Sequence, residues 1–390
     1  MSAVRKQLYY YWKKASEKES RKKLALKFFK GDLDRFNACN EKKPARQMAQ
    51  EMKALQRYWR CYPYQYYRFD LYHKDCTLPL EEMKKYVPLF FLNNIFFPLS
   101  FKDYGILCED KLLTYALLKA YDVPQPTLLF CYDHETFYDA ENNAISTIEI
   151  DNIIAASAAQ KLFVKARFGS EGKGIFIFTK GSGGQFADDE NTVLNHRFFL
   201  EDARVKIADG RDATGFFIVQ EGLVQHDTMN QIYPQSVNTF RINTECIDGN
   251  VKILHSLVRM GSGGEQVDNA TSGGMYIKID KETGRLADIA YMTNRSTRPT
   301  HPDTGFVFKD AVIKEWPVLK TFALDVAKKF REIKYLGWDV ALTTEGFSVI
   351  EVNHHPGFGI VQDCYGGARD DLKINPDDWW YQSKYTIKNV

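Results

Sequence analysis

The 390-residue sequence has no paired cysteines and no long apolar segment. Its seven Cys residues are scattered and never form a C-x-x-C pair, so the sequence predicts neither a disulfide framework nor a zinc site. The most apolar stretch, VPLFFLNNIFFPLSF at 87–101, is too short and too interrupted to cross a bilayer, and the first residues lack the apolar core of a signal peptide. We therefore expect a cytoplasmic protein, or one that also contacts the inner membrane surface.

Negative charge is scarce in the first hundred residues. Residues 1–100 contain 21 Lys and Arg against 10 Asp and Glu, whereas the rest of the chain contains 31 against 40. A basic segment could attract nucleic acid, anionic lipid or an acidic polymer, but a solvated Lys-rich helix face accounts for the charge equally well. Because no nucleic-acid-binding motif accompanies the charge, we expect no nucleic acid partner.

Glycine and proline are also scarce near the N-terminus. Between residues 2 and 62 only Gly31 and Pro44 interrupt a helical spacing of Leu, Lys, Glu and aromatic residues, which predicts two or three helices. The aromatic stretch YWRCYPYQYYRFDLY could stack sugars or bases, but packing is the interpretation we favour. From Glu109 onwards short β-rich runs alternate with helices, which predicts an α+β fold and not a repeated βαβ winding.

Two acids and an amide lie within apolar strands near the C-terminus. The runs WDVALTT and FSVIEVN flank a turn at Gly346, and a turn centred on Glu345 would place Asp339 opposite Glu351. Asn353 would share their face, because strand side chains alternate with a period of two. Two carboxylates so close together on a buried surface require a cation, and three oxygen ligands suit Mg²⁺. The alternative is a hairpin whose acids face solvent.

The P-loop pattern GxxxxGK[ST] is absent, but a different Gly-rich loop is present. In ARFGSEGKGIFIF, Gly169, Gly172 and Gly174 lie between two β-rich runs, where backbone N–H groups could approach phosphate oxygens. Lys165, on the preceding strand, would add a positive charge. A second Gly-rich stretch, LVRMGSGGEQVDNATSGG at 257–274, offers further backbone and guanidinium contacts.

The order of these motifs resembles the ATP-grasp superfamily over about residues 105–365. The motifs that carry the resemblance are EDKLLTYALLKAYDVPQPT, FVKARFGSEGKGI, FIVQEGLVQHD, NTFRINT, VRMGSGGEQVDNATSGG and GWDVALTTEGFSVIEVNHHPGFG. SVNTFRINT and NATSGGMYIKID are most similar to the sugar-transfer-associated (TupA-like) ATP-grasp proteins of surface polysaccharide biosynthesis. The resemblance implies an α+β ATP-grasp fold, in which two lobes grip ATP. It implies three regions: a basic, aromatic-rich helical region at 1–104, a first lobe with the Gly-rich phosphate loop at 105–215, and a second lobe with the linking strand and magnesium hairpin at 216–390.

The resemblance also implies a role for each matching residue. ATP would be bound by Lys111, Lys165, Gly169, Ser170, Gly172, Gly174, Gln220, Glu221, Leu223, Asp227 and Asn269. Magnesium would be bound by Asp339, Glu351 and Asn353. Arg241 is implied to hold the acceptor carboxylate, with a structural salt bridge as the alternative, and Arg259 to neutralise phosphate charge. His354 and His355 depart from the usual pattern, and they would either touch the acceptor or pack.

The implied activity is that of an ATP-dependent carboxylate–amine ligase. Such an enzyme forms an amide through an acyl phosphate, here by joining an amino acid or amine to a sugar acid in capsule or other surface polysaccharide synthesis. Two alternatives stay open: a kinase that phosphorylates a small molecule or sugar, and a non-catalytic nucleotide-binding scaffold for glycosyltransferases. No Rossmann-like lobe precedes Lys111, although in many relatives such a lobe contacts the acceptor. The basic, aromatic character of the N-terminal region indicates a contact with a glycosyltransferase or with the membrane surface.

Overall fold

The computed structural model of the chain describes residues 30–133, 136–168, 174–202, 215–266, 268 and 273–380. The chain divides into two compact units, which are described separately below. One unit comprises Met1–Phe96 with Tyr365–Val390, and the other comprises Phe97–Cys364.

The described part of the first unit is mainly helical, as predicted. Its helices up to Phe96 are Lys30–Ala38 (α1), Ala45–Trp59 (α2), Gln65–Arg68 (α3), Leu80–Met83 (α4), Leu89–Phe91 (α5) and a π-helical turn at Leu92–Phe96. Helix α2 follows Pro44 and ends where Arg60 adopts a left-handed conformation, with φ 53°. Trp59, Tyr66 and Tyr72 are almost completely buried. The packing interpretation of the aromatic stretch is therefore confirmed for these three side chains.

The second unit contains two antiparallel sheets and the helices that cover them. Beyond Phe96 the helices are Phe97–Phe101 (α6), a 3₁₀ turn at Lys102–Gly105, Ile106–Glu109 (α7), Lys111–Ala120 (α8), Thr147–Ala156 (α9), His196–Glu201 (α10), Asp227–Asn230 (α11), Trp316–Lys329 (α12) and Phe358–Tyr365 (α13). Helix α9 begins with a reciprocal capping box between Ser146 and Glu149, the S-x-x-E pattern that favours a helix start.

The first sheet places lysines on one face and a hydrophobic core on the other. Its strands are Leu128–Asp133 (β1), Thr136–Asp139 (β2), Ala144–Ile145 (β3), Lys161–Ala166 (β4), Ile175–Lys180 (β5), Phe186–Ala187 (β6) and Phe216–Glu221 (β7), in the order β3-β2-β1-β7-β4-β5-β6. Along β4, Leu162 and Val164 are buried in a core shared with α9 and α10. Lys161 and Lys165 consequently point to the opposite face.

The second sheet carries the predicted metal hairpin at its edge. Its strands are Thr239–Ile247 (β8), Asn250–Met260 (β9), Met275–Lys278 (β10), Ala290–Met292 (β11), Thr297–Arg298 (β12), Tyr335–Thr343 (β13) and Gly346–Asn353 (β14), in the order β12-β11-β10-β9-β8-β13-β14. Helix α12 packs Leu319 and Ala323 into the core beneath this sheet.

These elements confirm the predicted α+β class. All strand pairs in both sheets are antiparallel, so no repeated βαβ winding is present in the described residues. Within those same residues, no helix has both the length and the apolar character required to cross a membrane.

Candidate active site

The β13–β14 hairpin pairs Asp339 with Glu351, as predicted, although its turn is not centred where the sequence suggested. The ladder starts with Thr343 opposite Gly346, so a regular register would place Asp339 opposite residue 350. A β-bulge beside Asp339 shifts the register by one residue and restores the pair. The two carboxylates therefore share one face through a two-residue turn combined with a bulge.

Asp339 is a buried anion held between two guanidinium groups. Its Oδ1 accepts a hydrogen bond from Arg241 Nε at 2.5 Å, and its Oδ2 accepts from Arg241 Nη2 at 2.8 Å and from Arg259 Nη1 at 3.0 Å. The side-chain amide of Asn353 lies 3.4 Å from the same Oδ2. Burial by itself raises the pKa of Asp339, but the charges of Arg241 and Arg259 outweigh burial and hold the pKa below its usual range. Asp339 is therefore ionised at neutral pH.

Arg241 is committed to protein partners on two sides. Besides its two bonds to Asp339, it donates from Nη1 to the carbonyl oxygen of Pro356 at 3.3 Å. The salt bridge considered as the alternative role is thus present in this structure. Arg241 fixes both Asp339 and the segment that follows the hairpin, whereas an acceptor-binding role stays a prediction.

Gly357 is required at the point where this segment meets Arg241. Its φ is +73°, and a Cβ there would lie 2.9 Å from Arg241 Nη1. We expect Gly357→Ala to lower stability by about 1–2 kcal/mol from the left-handed backbone alone, with a further loss from displacing Arg241. Gly305→Ala is the matched control, since Gly305 has φ +71° and an open space around it. If both variants unfold at the same urea concentration, the contact with Arg241 does not contribute to the loss of stability in Gly357→Ala.

Glu351 lies among three cations and keeps its own oxygens uncommitted. In the described part of the chain its carboxylate forms no hydrogen bond, yet its charge acts on Lys111, Lys165 and Arg259. Burial lowers the pKa of Lys165 to about 8, although Glu351 opposes that shift. Burial also lowers the pKa of Lys111. Three positive groups around one available carboxylate form a site suited to a polyanion.

The predicted nucleotide residues on β7 are only partly available to a ligand. Gln220 accepts a hydrogen bond from Lys165 Nζ at 2.9 Å and donates to the Pro126 carbonyl at 3.3 Å. The Glu221 carboxylate accepts from the Ser157 hydroxyl at 2.6 Å, so this side chain is bound within the protein. The other two predicted nucleotide-binding residues come after β7 in the chain. Leu223 is half-buried and Asp227 is exposed.

Four predicted residues lie outside the described part of the chain: Gly169, Ser170, Gly172 and Asn269. Gly174, the last glycine of the loop, is described. It has φ +72°, and its carbonyl accepts from the backbone N–H of Ala166 at 2.8 Å. A positive φ is a conformation that glycine adopts without steric cost. The roles of all five residues in phosphate binding stay predictions.

Asp110 and Arg167 position Lys111, a role that the sequence analysis missed. The Asp110 carboxylate caps α8 by accepting from the backbone N–H groups of Leu112 and Leu113. It also accepts from Arg167 Nε and Nη2, both at 2.8 Å. An Asp directly before a helix is a recognisable N-cap signal, whereas its arginine partner is distant in sequence.

Asp268 is a second residue that the sequence analysis did not select. Its Oδ1 lies 3.5 Å from Arg259 Nη2, and its Oδ2 accepts a hydrogen bond from the Thr239 hydroxyl. Burial lowers the pKa of Arg259, but Asp268 and Asp339 raise it and prevail. The only sequence signal was an acid within a Gly-rich loop that follows an arginine strand.

The two histidines after the hairpin are in mutual contact. The rings of His354 and His355 lie 4.2 Å apart, and His354 Nε2 is 3.3 Å from Glu109 Oε1. Burial, with a smaller effect of His355, lowers the pKa of His354 to about 4. His354 is therefore neutral at pH 7, which agrees with a packed residue; a contact with the acceptor stays a prediction.

The hairpin residues can accommodate Mg²⁺ with unequal roles. Among the residues that the structure describes, no group of three or more His, Cys, Asp or Glu side chains is placed to hold a metal; the candidate set has two carboxylates and one amide. Asp339 already accepts three guanidinium N–H groups and, at 3.4 Å, the side-chain amide of Asn353, so its roughly four acceptor positions are all engaged and a metal would have to replace one of these donors. The Glu351 carboxylate forms no hydrogen bond in the described residues, so its acceptor positions stay available to a metal. This set fits an ion that completes its shell with waters and phosphates.

The two-sheet α+β fold of the chain is that of an ATP-grasp protein. The particular family is given by a family model described as sugar-transfer associated ATP-grasp, which matches residues 102–370. Because the match covers more than half of the chain, the protein belongs to this family.

Several solved structures are similar to the chain at low identity. D-alanyl-alanine synthetase A from Vibrio cholerae has 14% identity and a TM-score of 0.40, with coverage of 71% of this chain and 66% of that one. Biotin carboxylase from Campylobacter jejuni has 11% identity and a TM-score of 0.41, with coverage of 70% and 46%. The biotin carboxylase domain of the Hydrogenobacter thermophilus 2-oxoglutarate carboxylase has 13% identity and a TM-score of 0.36, with coverage of 64% and 40%. The chain thus spans less than two thirds of each. No curated protein sequence matches it significantly.

Proposed function

We propose that this chain is an ATP-dependent carboxylate–amine ligase that joins an amino acid or amine to a sugar acid in the assembly of capsule or another surface polysaccharide. The observation that carries the proposal is the cluster of Lys111, Lys165 and Arg259 around the uncommitted carboxylate of Glu351. A triphosphate needs positively charged side chains, and its metal ion needs a carboxylate close to them. Membership in a sugar-transfer-associated family supports a sugar-acid substrate.

The proposed reaction has two steps. A carboxylate oxygen of the sugar acid attacks the γ-phosphorus, and the β–γ bridging oxygen leaves with ADP. The amine nitrogen then attacks the acyl carbon, phosphate leaves, and the nitrogen loses its proton to solvent. Phosphoryl transfer depends on positioning and charge neutralisation more than on covalent chemistry by the protein. No side chain therefore has to act as a nucleophile.

The cationic residues neutralise phosphate charge in this scheme. Lys111 lies at the start of α8, Lys165 lies on β4 of the first sheet, and Arg259 lies on β9 of the second sheet. Arg241 is a positioning residue, because it holds Asp339 in place beside Glu351. Magnesium held by Asp339, Glu351 and Asn353 would supply further positive charge at the phosphates.

The substrate pair can be found by measuring phosphate release. The full chain is incubated with Mg-ATP and a grid of uronic acids against amino acids and simple amines, with each single substrate as a control. A ligase releases phosphate only with a matched pair and gives a product of their combined mass less one water. A phosphorylated product from one substrate alone would instead identify a kinase. If no substrate combination releases ADP, the result would favour the non-catalytic nucleotide-binding scaffold.

The pKa of Lys165 predicts how nucleotide binding depends on pH. Because this pKa is about 8 in the free protein, Lys165 loses its charge as pH rises through 8, and ATP affinity should fall. Lys165→Arg keeps the charge, since arginine stays protonated in this range, so its affinity should fall less steeply between pH 7 and 9.5. Calorimetry at several pH values provides the test. Parallel slopes for the two proteins would remove Lys165 from the phosphate site.

A further inference from the structure

A hydrogen-bonded bridge joins the two sheets of the second unit at Gln266. This residue lies in the loop that follows β9 of the second sheet. Its side-chain Oε1 accepts a hydrogen bond from Lys161 Nζ at 2.8 Å, and its Nε2 donates to Asp189 Oδ2 at 3.3 Å. Lys161 is the first residue of β4, and Asp189 follows β6, so the first sheet carries both partners. The amide of Gln266 is thus held at both of its ends by the opposite sheet.

The two partners of Gln266 carry opposite charges. Burial lowers the pKa of half-buried Lys161, and the charge of exposed Asp189 opposes this shift. A neutral amide can accept from a cation and donate to an anion at the same time. A glutamate at this position would be repelled by Asp189, and a lysine would be repelled by Lys161. The bridge therefore requires an amide, and each of its hydrogen bonds is strengthened by a charged partner.

The loop that leads to Gln266 is anchored to segments that flank the second sheet. The backbone N–H of Gly263 donates to Asp303 Oδ2 at 2.7 Å, and Asp303 follows β12. The carbonyl oxygen of Glu265 accepts from the Tyr233 hydroxyl at 3.1 Å, and Tyr233 precedes β8. These hydrogen bonds fix the backbone directly before Gln266. The bridge therefore links the two sheets themselves, because its loop is held on the side of the second sheet.

The bridge lies at the end of β4 that is distant from Lys165. Lys161 and Lys165 point to the same face, and four residues of strand separate them by about 13 Å. The Lys161 carbonyl accepts from the backbone N–H of Gly222 at 2.8 Å, and Gly222 directly follows Glu221, one of the predicted nucleotide residues. A nucleotide whose phosphates contact Lys165 would extend its nucleoside towards this end. The bridge is therefore placed beside the nucleoside and away from the phosphates.

We propose that the Gln266 bridge closes the nucleoside end of the cleft between the two sheets and slows the release of bound nucleotide. The nucleoside leaves only after the bonds of Gln266 to Lys161 and Asp189 break and the sheets separate at this end. Opening of such closures limits product release in many enzymes. This inference rests on the nucleotide site of the proposed function. It adds Gln266 as a positioning residue that holds neither the metal nor the phosphates.

Stopped-flow fluorescence on the full chain measures the release. N-methylanthraniloyl-ADP is bound in the presence of Mg²⁺ and chased with excess unlabelled ADP, which gives the dissociation rate. Gln266→Met keeps the length of the side chain but loses both hydrogen bonds, so the rate should rise at least about fivefold. Gln235→Met is the matched control and should leave the rate unchanged. Gln235 accepts from the Tyr233 hydroxyl, and in the described residues its amide forms no hydrogen bond with the first sheet.

Lys161→Met breaks the same bridge from the first sheet and should also speed release. Because both changes remove one shared interaction, the double variant should release the nucleotide no faster than the faster single variant. If the labelled ADP does not bind to the wild-type chain, the proposed function and the closing role of the bridge are both wrong. If it binds, but Gln266→Met releases it at the wild-type rate or the two effects multiply in the double variant, only the role of the bridge is wrong.

Discussion

Glu351→Gln is expected to lower ATP turnover by at least about 100-fold while leaving the fold intact. The change removes the one uncommitted carboxylate among Lys111, Lys165 and Arg259 and replaces it with an amide of the same shape. An amide is a weaker ligand for a hard cation, and even residues that only support metal ligands cost about 10–100-fold when mutated. Because Glu351 forms no hydrogen bond within the described residues, little stability should be lost.

Glu345→Gln is the control for this experiment. It makes the same chemical change on the same hairpin, but Glu345 is exposed in the turn. ADP release would be measured for both variants with the substrate pair identified from the grid, alongside thermal unfolding. Turnover within a few-fold of wild type in Glu351→Gln would remove Glu351 from the metal site. A large loss in the control would instead indicate a general effect of the hairpin.

The hairpin shows how far sequence reasoning can reach. Alternation with a period of two was sufficient to predict that Glu351 and Asn353 share one face of β14. The pairing of Asp339 with Glu351 was predicted from a turn centred on Glu345, yet it arises from a shorter turn and a bulge. A bulge depends on how the whole strand fits its neighbours, so the local sequence does not specify it. The pair was therefore predicted correctly, and its local geometry was not.

Partners on distant strands were beyond prediction. The sequence identified the arginine strands and the acids of the hairpin, but not that Arg241 and Arg259 both bind Asp339. These contacts depend on strand order, in which β8 lies between β9 and β13 although β13 comes much later in the chain. Strand β7 likewise lies between β1 and β4. Motifs indicate which residues matter, whereas long-range pairing determines which of them meet.

Asp339→Asn is expected to destabilise the protein as well as reduce its activity. Asp339 balances two buried guanidinium groups, and removing one partner of a buried ion pair costs about 3–5 kcal/mol, because the remaining charge stays buried. Asp325→Asn is the control: Asp325 is exposed on α12 and pairs with Lys328, and exposed substitutions usually stay within about 0.5 kcal/mol. Urea unfolding at pH 7, followed by circular dichroism, measures the difference.

The pH dependence of this difference separates loss of charge from loss of packing. The pKa of Asp339 is lower in the folded protein than in the unfolded chain, where an Asp titrates near about 3.9. Its stabilising contribution is therefore complete above that value and is lost as pH falls through the folded pKa. The stability gap between wild type and Asp339→Asn should be constant from pH 7 to 5 and narrow below about pH 4. If the difference in unfolding free energy is the same at pH 3 as at pH 7, with both proteins still folded, the charge of Asp339 does not stabilise the protein through Arg241 and Arg259.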